Sequence, residues 1–354
     1  MSGTSSSFSP HGRAVMITGA SSGLGRETAL HLERLGYTVF AGVRRAEDGE
    51  ALAVESSRGG IRPVRIDLTD EDSVYGAARE VAEATADTGL WGLVNNAGIC
   101  VIGPLELLPA ARLRAALETN VIGHHTLTRG LLPSLRRTRG RIVNVSSGFG
   151  RVACPFYGGY AVTQFGKEGL SDALRRELRP FGIGVAVVEP GAIATPILGK
   201  LATEAQRVLA AAAPEIAELY RARFLGFLHM NEHRAHWLGT SPARCARAVE
   251  HALGARRPRI RYAVGLDWQL VRPVYRAFPD RMIDAVFGAQ SDGMASRDPA
   301  RDGTVPRPLG PAERWYRLGQ LLRTLTSLVC HDAAPAGTAS PVSGRSRSPS
   351  DARG

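Results

Sequence analysis

The sequence predicts a doubly wound α/β fold on a seven-stranded parallel sheet, followed by a C-terminal extension. Short apolar, β-branched runs alternate with longer stretches of helical periodicity from residue 13 to about residue 288. The first run leads straight into the glycine-rich turn Gly19-Ala20-Ser21-Ser22-Gly23-Leu24-Gly25, which opens a helical stretch. The 354 residues, 44% of them hydrophobic, are enough for one large α/β core with length to spare.

Residues 13–18 form the first predicted strand, and the helix after the turn runs through Leu35. Glycines keep such a turn tight and let backbone N–H groups approach a pyrophosphate at the positive end of the helix. Gly19, Ser21, Ser22, Gly23, Leu24 and Gly25 are therefore candidate dinucleotide contacts. The second strand, 37–43, ends in Val43-Arg44-Arg45. Folds of this build that take NAD place an acid there for the ribose hydroxyls. Here no carboxylate repels a 2′-phosphate and the Arg44 guanidinium can grip one, which favours NADP(H) over NAD(H). The plainer reading is two solvated arginines in an arginine-rich chain.

A third strand over 61–66 ends at Asp67-Leu68, and a helix over 70–86 follows. The fourth strand, 90–94, ends in Asn95-Asn96-Ala97-Gly98. Residues 113–132 are helical in period, with Asn120 inside, an unfavourable residue for a helix interior. Ile142, Val143 and Val145 mark a fifth strand ending in Ser146-Ser147. Tyr160 comes thirteen residues after Ser147, near the start of a helix with apolar positions at Ala161, Phe165, Leu170 and Leu174. A serine at a strand's end facing a tyrosine on the next helix suits redox chemistry on a carbonyl or alcohol. Both hydroxyls hold the substrate oxygen, and the phenol exchanges a proton with it. The sixth strand, 185–189, runs into Pro190-Gly191-Ala192-Ile193-Ala194-Thr195. Residues 196–240 break the rhythm with an alanine-rich helix and then Phe224, Leu225, Phe227, Leu228, Met230 and Trp237. A helix over 242–253 and a strand over 260–264 complete the sheet.

The glycine-rich turn, Asn95-Asn96-Ala97-Gly98, Asn120, Ser147 and Tyr160 together resemble the short-chain dehydrogenase/reductase family, which has a Rossmann-type fold. Trp91-Gly92-Leu93-Val94, Ala41-Gly42-Val43 and Arg256-Arg257-Pro258-Arg259-Ile260-Arg261-Tyr262 resemble the branch of retinol, 17β-hydroxysteroid and 3-hydroxybutyrate dehydrogenases. The resemblance implies an NAD(P)-binding domain over 13–288 with a substrate lid at about 196–240. It implies Asp67 and Leu68 beside the adenine, and Asn95, Ala97 and Gly98 lining the cofactor pocket. Pro190, Gly191 and Thr195 would lie beside the nicotinamide. Asn120 would hold a helix kink and a relay water, with Ser147, Tyr160 and position 164 as its catalytic companions.

The family signature is Tyr-x-x-x-Lys, and here its last position is Gln164. In the family the lysine bonds the nicotinamide ribose and lowers the tyrosine pKa. A phenol starts near ~10, and a cation within reach lowers such a value by ~1–3 units. Gln164 offers an amide hydrogen bond but no charge, so reduction, which starts from neutral tyrosine, suffers less than oxidation. Lys167 lies on the same helical face, roughly 10 Å from Tyr160 along the axis; it reads first as a solvated surface lysine, with the alternative that its flexible stem bends back towards the ribose and relocates the missing charge. The expected activity is NADPH-dependent reduction of a ketone or aldehyde to an apolar alcohol. A cofactor-binding protein without turnover, or a non-redox cyclase or dehydratase, stays open.

The net charge is +11, but the basic residues are spread along the chain, and all except Lys167 and Lys200 are arginine. No nucleic-acid recognition motif accompanies the charge. Cys100, Cys154, Cys245 and Cys330 form no Cys-x-x-Cys pair, no metal-ligand spacing is present, and no run is long enough to span a membrane. The polar residues 1–12 form a flexible N-terminus unlike a signal peptide, so a cytoplasmic homo-oligomer is expected. Residues 289–313 read as a linker. Residues 314–329 read as an amphipathic helix on a membrane surface, on its own domain or on a partner. Residues 330–354 read as a disordered tail.

Overall fold

The computed structural model describes residues 11–193, 197–238 and 240–295. Seven parallel strands follow in chain order: β1 (Ala14–Thr18), β2 (Thr38–Val43), β3 (Ile61–Arg65), β4 (Leu90–Asn95), β5 (Arg141–Val145), β6 (Gly184–Pro190) and β7 (Arg261–Val264). They lie side by side as β3-β2-β1-β4-β5-β6-β7. The order reverses between β1 and β4, and ligands of open α/β sheets bind at the carboxyl ends of strands around such a switch.

Side-chain alternation along each strand feeds two cores. Val15 and Ile17 of β1 join Val94, Val143 and Val188 against α1 (Gly23–Arg34), α2 (Ala46–Val54) and, later in the chain, the helix Pro242–Gly254. Met16, Leu93 and Ile142 face the opposite way, towards α3 (Glu71–Ala84) and the two long helices that precede and follow β5. Asp70 caps α3 by accepting from the N–H groups of Asp72 (3.1 Å) and Ser73 (3.3 Å).

The single helix expected over 113–132 is built from three pieces: α4 (Ala110–Leu117), a π-helical turn (Glu118–Ile122) and α5 (Gly123–Thr138). Asn120 sits inside the π turn, a feature frequent at functional sites. After β5 comes α6 (Gly158–Glu177). The region expected to be a lid is a helical pair, α7 (Ile197–Ala210) and α8 (Pro214–Leu238). The chain then passes through α9 (Pro242–Gly254), β7, α10 (Leu266–Ala277) and α11 (Asp280–Ala295). Helix α11 continues past residue 288, so the segment expected to be a linker from 289 starts as helix. Residues 1–10 and 296–354, which include the expected tail and amphipathic helix, lie outside the described residues, as does Thr195.

Candidate active site

The glycine-rich turn leaves β1 and enters α1 with the geometry a dinucleotide needs. Gly19 and Gly23 have φ of 68° and 56°, in the left-handed region where a side chain is strained. A Cβ on Gly25 would lie 2.1 Å from the Gly19 carbonyl oxygen and 2.5 Å from Asn96 Nδ2. Ser22, at the N-cap of α1, makes no side-chain capping bond, and no acid occupies the first turn. The positive helix end therefore keeps its N–H groups available for an anion. Gly25→Ala should abolish dinucleotide binding and lower the melting temperature. Retention of wild-type affinity by fluorescence titration would show that the turn has another purpose.

Thr18 was not singled out in the sequence, and Asn96 only as part of the Asn95–Gly98 motif, yet the two hold this turn. Asn96 Nδ2 donates to the carbonyl oxygens of Thr18 (2.9 Å) and Gly19 (3.3 Å). The Thr18 hydroxyl accepts from the N–H groups of Asn96 and Ala97, both at 3.0 Å. Asn95 is buried and donates to Asn144 Oδ1 (2.8 Å) and Thr128 Oγ1 (3.1 Å), so it ties β4 to β5 and α5. Gly98 abuts Asn120, since a Cβ there would lie 3.2 Å from Asn120 Oδ1.

At the end of β2, Arg44 is exposed and makes no ion pair among the described residues, whereas Arg45 pairs with Asp48 (3.0 and 2.6 Å). Asp67 is fixed by Thr69, whose N–H (3.0 Å) and hydroxyl (2.8 Å) donate to its carboxylate. Those bonds hold its pKa below the ordinary value, with Arg44 adding to the effect. Leu68 is buried beside it, and its backbone abuts Gly123 at the head of α5.

The catalytic candidates converge from three elements. Tyr160 stands in the first turn of α6 and Ser147 two residues beyond β5. Burial raises the phenol pKa, the nearby Cys100 adds to the rise, and a hydrogen bond with Ser147 opposes it. The Ser147 hydroxyl also accepts from the Phe149 N–H at 3.2 Å. Asn120, fully buried, donates to the Ile99 carbonyl and Thr163 Oγ1 (both 2.9 Å) and accepts from the Ile99 N–H (2.8 Å). Its side chain is thus a strut between the loop after β4 and α6, and its backbone carbonyl faces His124 Nδ1 at 3.2 Å.

Gln164 is 2% exposed. Its Nε2 donates to Thr163 Oγ1 at 3.1 Å, and its Oε1 is buried without a partner. An orphaned acceptor one turn from Tyr160, together with the glycine cradle and the open helix end, fits a dinucleotide whose ribose hydroxyls can donate. Bound there, the dinucleotide supplies the hydride.

The Pro190-Gly191 segment is held by a residue the sequence reading missed. Asp267, at the start of α10, accepts from the Ala192 N–H at 2.7 Å. Its carboxylate fills the space beside Gly191, where a Cβ would lie 2.3 Å from Oδ1. A buried cluster braces the turn after Ser147. Glu189 of β6 meets Arg151 (3.4 Å), Arg261 (3.3 Å) and Trp268 Nε1 (3.1 Å), and Glu168 of α6 meets Arg151 (3.3 Å) and Arg261 (3.0 Å).

Above Tyr160 the wall is aromatic. Phe149 lies edge-on to Tyr160 (6.1 Å) and stacks on Tyr157 (4.7 Å), which leads to Phe227 (6.2 Å) of α8. Phe156 holds its ring against Phe224 (5.3 Å) and Phe227 (5.7 Å) from a strained φ of 66°. A crevice between α7 and α8, lined by Leu225, Leu228 and His229 among others, includes none of the catalytic candidates and belongs to the helical pair itself.

Two expectations need correction. The face of α6 turned to the core is polar: Thr163, Gln164, Lys167, Glu168 and Ser171 are buried beside Ala161 and Leu174, whereas Phe165 is 45% exposed. Lys167 is not a solvated surface residue. It is 2% exposed, and its Nζ donates to the Val145 carbonyl at 3.2 Å.

A glycine-rich dinucleotide turn with serine and tyrosine at adjoining strand and helix ends defines an NAD(P)-dependent oxidoreductase acting on CH–OH or C=O groups. The chain belongs to the short-chain dehydrogenase family, whose "short chain dehydrogenase" model matches residues 13–206. It is 39% identical over 279 residues to 3-amino-tetrahydro-pyrrolizinone reductase of Xenorhabdus hominickii, covering 79% of this chain and 96% of that protein. It is 38% identical to mouse (Mus musculus) retinol dehydrogenase 5, covering 77% and 87%. A solved structure from Beutenbergia cavernae, assigned as an NAD(P)-dependent gluconate 5-dehydrogenase with NADP bound at low occupancy, superposes with a TM-score of 0.61. That pair shares 26% identity over 74% of this chain and 99% of that one. Among the described residues no helix is long and apolar enough to cross a membrane, and no cluster suited to a metal ion occurs.

Proposed function

We propose that this protein is an NADPH-dependent reductase of an apolar ketone or aldehyde, with Tyr160 as proton donor. The observation behind this is a partly buried Tyr160 whose pKa is raised by desolvation, one turn from an uncharged, buried Gln164. The phenol stays protonated near neutrality and gives its proton to the oxygen of a reduced carbonyl, while Ser147 holds that oxygen. Alcohol oxidation would need the phenolate, which this environment disfavours. The aromatic wall through Phe149, Tyr157 and Phe227 supports an apolar substrate, in keeping with the retinol in the name of one relative. Cys100, Cys154 and Cys245 are free thiols, and we read the setting as cytoplasmic. Val162 and Phe165, exposed on α6, offer a contact for a second copy.

NADPH oxidation against a panel of apolar ketones tests the reading. Cofactor binding with no turnover across the panel would favour a binding protein, and product formed without cofactor consumption a non-redox enzyme. On the cofactor, NADPH should bind more tightly than NADH. Arg44→Ala should weaken NADPH roughly tenfold, the loss of one charge-assisted contact, and leave NADH unchanged. Equal wild-type affinities for the two would remove the basis for the NADP preference.

A further inference from the structure

The chain has 44 basic residues, and only Lys167 and Lys200 are lysines. One of those two is buried at the base of the active site. Three elements close around Lys167, and each carries a catalytic candidate one layer above it. On β5 its Nζ bonds the carbonyl of Val145, two residues before Ser147. On α5 it acts electrostatically on His124, one turn from Asn120. On its own helix it lies one turn beyond Gln164 and two beyond Tyr160. Val145 pairs in register with Val188 of β6, two residues before Pro190, so the amine underlies the strand ends expected to receive the nicotinamide.

Among the described residues no carboxylate pairs with this amine, and burial is the cause of its shift. His124 is held neutral, its pKa driven well below the ordinary value by burial and by Lys167 itself. Ser171 donates to the Lys167 backbone carbonyl (2.6 Å) and accepts from Asn144 (2.7 Å), which in turn pairs with Asn95, so the chain of contacts from this turn of α6 to β5 and β4 runs through neutral side chains. Glu168, the neighbour on α6, and Glu189 of β6 are engaged by Arg151 and Arg261. Tyr160 and Cys100 are both pushed up, Cys100 to about 12. Burial brings Lys167 down to about 7, so it changes charge in the range where enzymes work. An arginine, used almost everywhere else for positive charge in this chain, cannot do that.

We propose that Lys167 is the positive charge of this active site, set one layer beneath the catalytic residues, and that its protonation selects the reduced over the oxidised dinucleotide. The inference rests on the redox reading above. NADP+ and NADPH share their phosphates and differ by one positive charge on the nicotinamide ring. A buried ammonium beneath that ring repels the oxidised form and is indifferent to the reduced one. At an effective dielectric constant of about 20, repulsion across roughly 10 Å would amount to about tenfold in affinity. Lys167 touches neither substrate nor cofactor and is a positioning residue. Its consequence is a site that holds NADPH and lets NADP+ go.

The test measures Kd for NADP+ and for NADPH by fluorescence titration or calorimetry from pH 6 to 8.5, in wild type, Lys167→Met and Gln164→Met. The ratio Kd(NADP+)/Kd(NADPH) cancels the titration of the shared phosphates. In wild type it should rise roughly tenfold as pH falls from 8.5 to 6, with its midpoint near 7. It should be flat in Lys167→Met and keep its pH dependence in Gln164→Met, which removes a neighbouring polar group without touching the charge. If Lys167→Met does not fold, Lys167→Gln takes its place. A pH-independent ratio in wild type, or a persistent dependence in the Lys167 variants, overturns the inference while leaving the redox reading intact. Failure of wild type to bind either dinucleotide overturns the redox reading instead.

Discussion

Lys167→Met should melt at a higher temperature than wild type at pH 7, and the gain should fade as pH rises towards 10.5. Lys167 goes from an ordinary 10.5 when unfolded to about 7 in the fold, because its ammonium is stripped of water with only the Val145 carbonyl to replace it. An amine whose folded pKa is depressed costs stability wherever the folded state must carry, or give up, a proton that the unfolded chain keeps. The cost is complete below about pH 7, where both states are protonated. It shrinks between about 7 and 10.5, where the unfolded chain binds a proton that the folded one has released. Above that range it is gone. Methionine has a similar volume and no charge, so it removes the whole cost and leaves only the Val145 carbonyl without a donor, a loss of ~1–3 kcal/mol. A tenfold change in proton affinity is worth about 1.4 kcal/mol, so the net gain at pH 7 is on the order of 2–4 kcal/mol. For a domain of this size that is roughly 5–10 °C. Calorimetry of both proteins at pH 6, 7, 8.5 and 10 reads it. A variant that melts lower than wild type at every pH would mean that Lys167 is an ordinary structural contact. A buried group that destabilises the fold and yet governs the bound dinucleotide is the signature of a residue retained for function.

The architecture was legible because parallel, doubly buried strands leave compact apolar runs, and helices between them leave a 3.6-residue period. Strand boundaries shifted by only a residue or two, as where β1 begins at Ala14 rather than Arg13, whereas the helix expected over 113–132 runs in pieces from Ala110 to Thr138. The glycine turn, the Asn95–Gly98 segment, Ser147 and Tyr160 were legible because each is local: a strand end and the turn after it. What escaped depends on contacts across the chain. Thr18 gains its role only because β4 lies beside β1 and brings the Asn96 and Ala97 N–H groups to its hydroxyl. Asp267 acts on Ala192 from 75 residues away, a pairing no spacing rule reveals. The face of α6 was misjudged for a physical reason. Apolar residues at helical spacing normally mark the buried side, but here that side carries the site's polar layer, and Val162 and Phe165 are left outside. Lys167 was misread with it, since lysines are rarely buried.

Gln164→Lys should raise alcohol oxidation at neutral pH well above any change in ketone reduction, and should move the oxidation profile to lower pH by ~1–3 units. The new ammonium would sit one helical turn from the Tyr160 phenol, on the same face and in a buried place. There it stabilises the phenolate that oxidation requires and leaves the neutral phenol, which reduction uses, almost untouched. The active fraction for oxidation near pH 7 should therefore grow by roughly ten- to a thousandfold. Lys167 opposes the change, because it is buried three residues further along the same helix. Two cations cannot both be held there cheaply, so the incoming one drives Lys167 further towards its neutral form and loses part of its own effect. The two substitutions should thus be non-additive. Gln164→Lys combined with Lys167→Met should move the profile further than Gln164→Lys alone, by an amount comparable to the repulsion between the two amines. Initial rates in both directions from pH 6 to 10, for wild type, both single variants and the double, give the result. If Gln164→Lys folds and leaves the oxidation profile where wild type has it, phenol acidity is not set from position 164. The uncharged amide would then not support the reductase direction proposed for this enzyme.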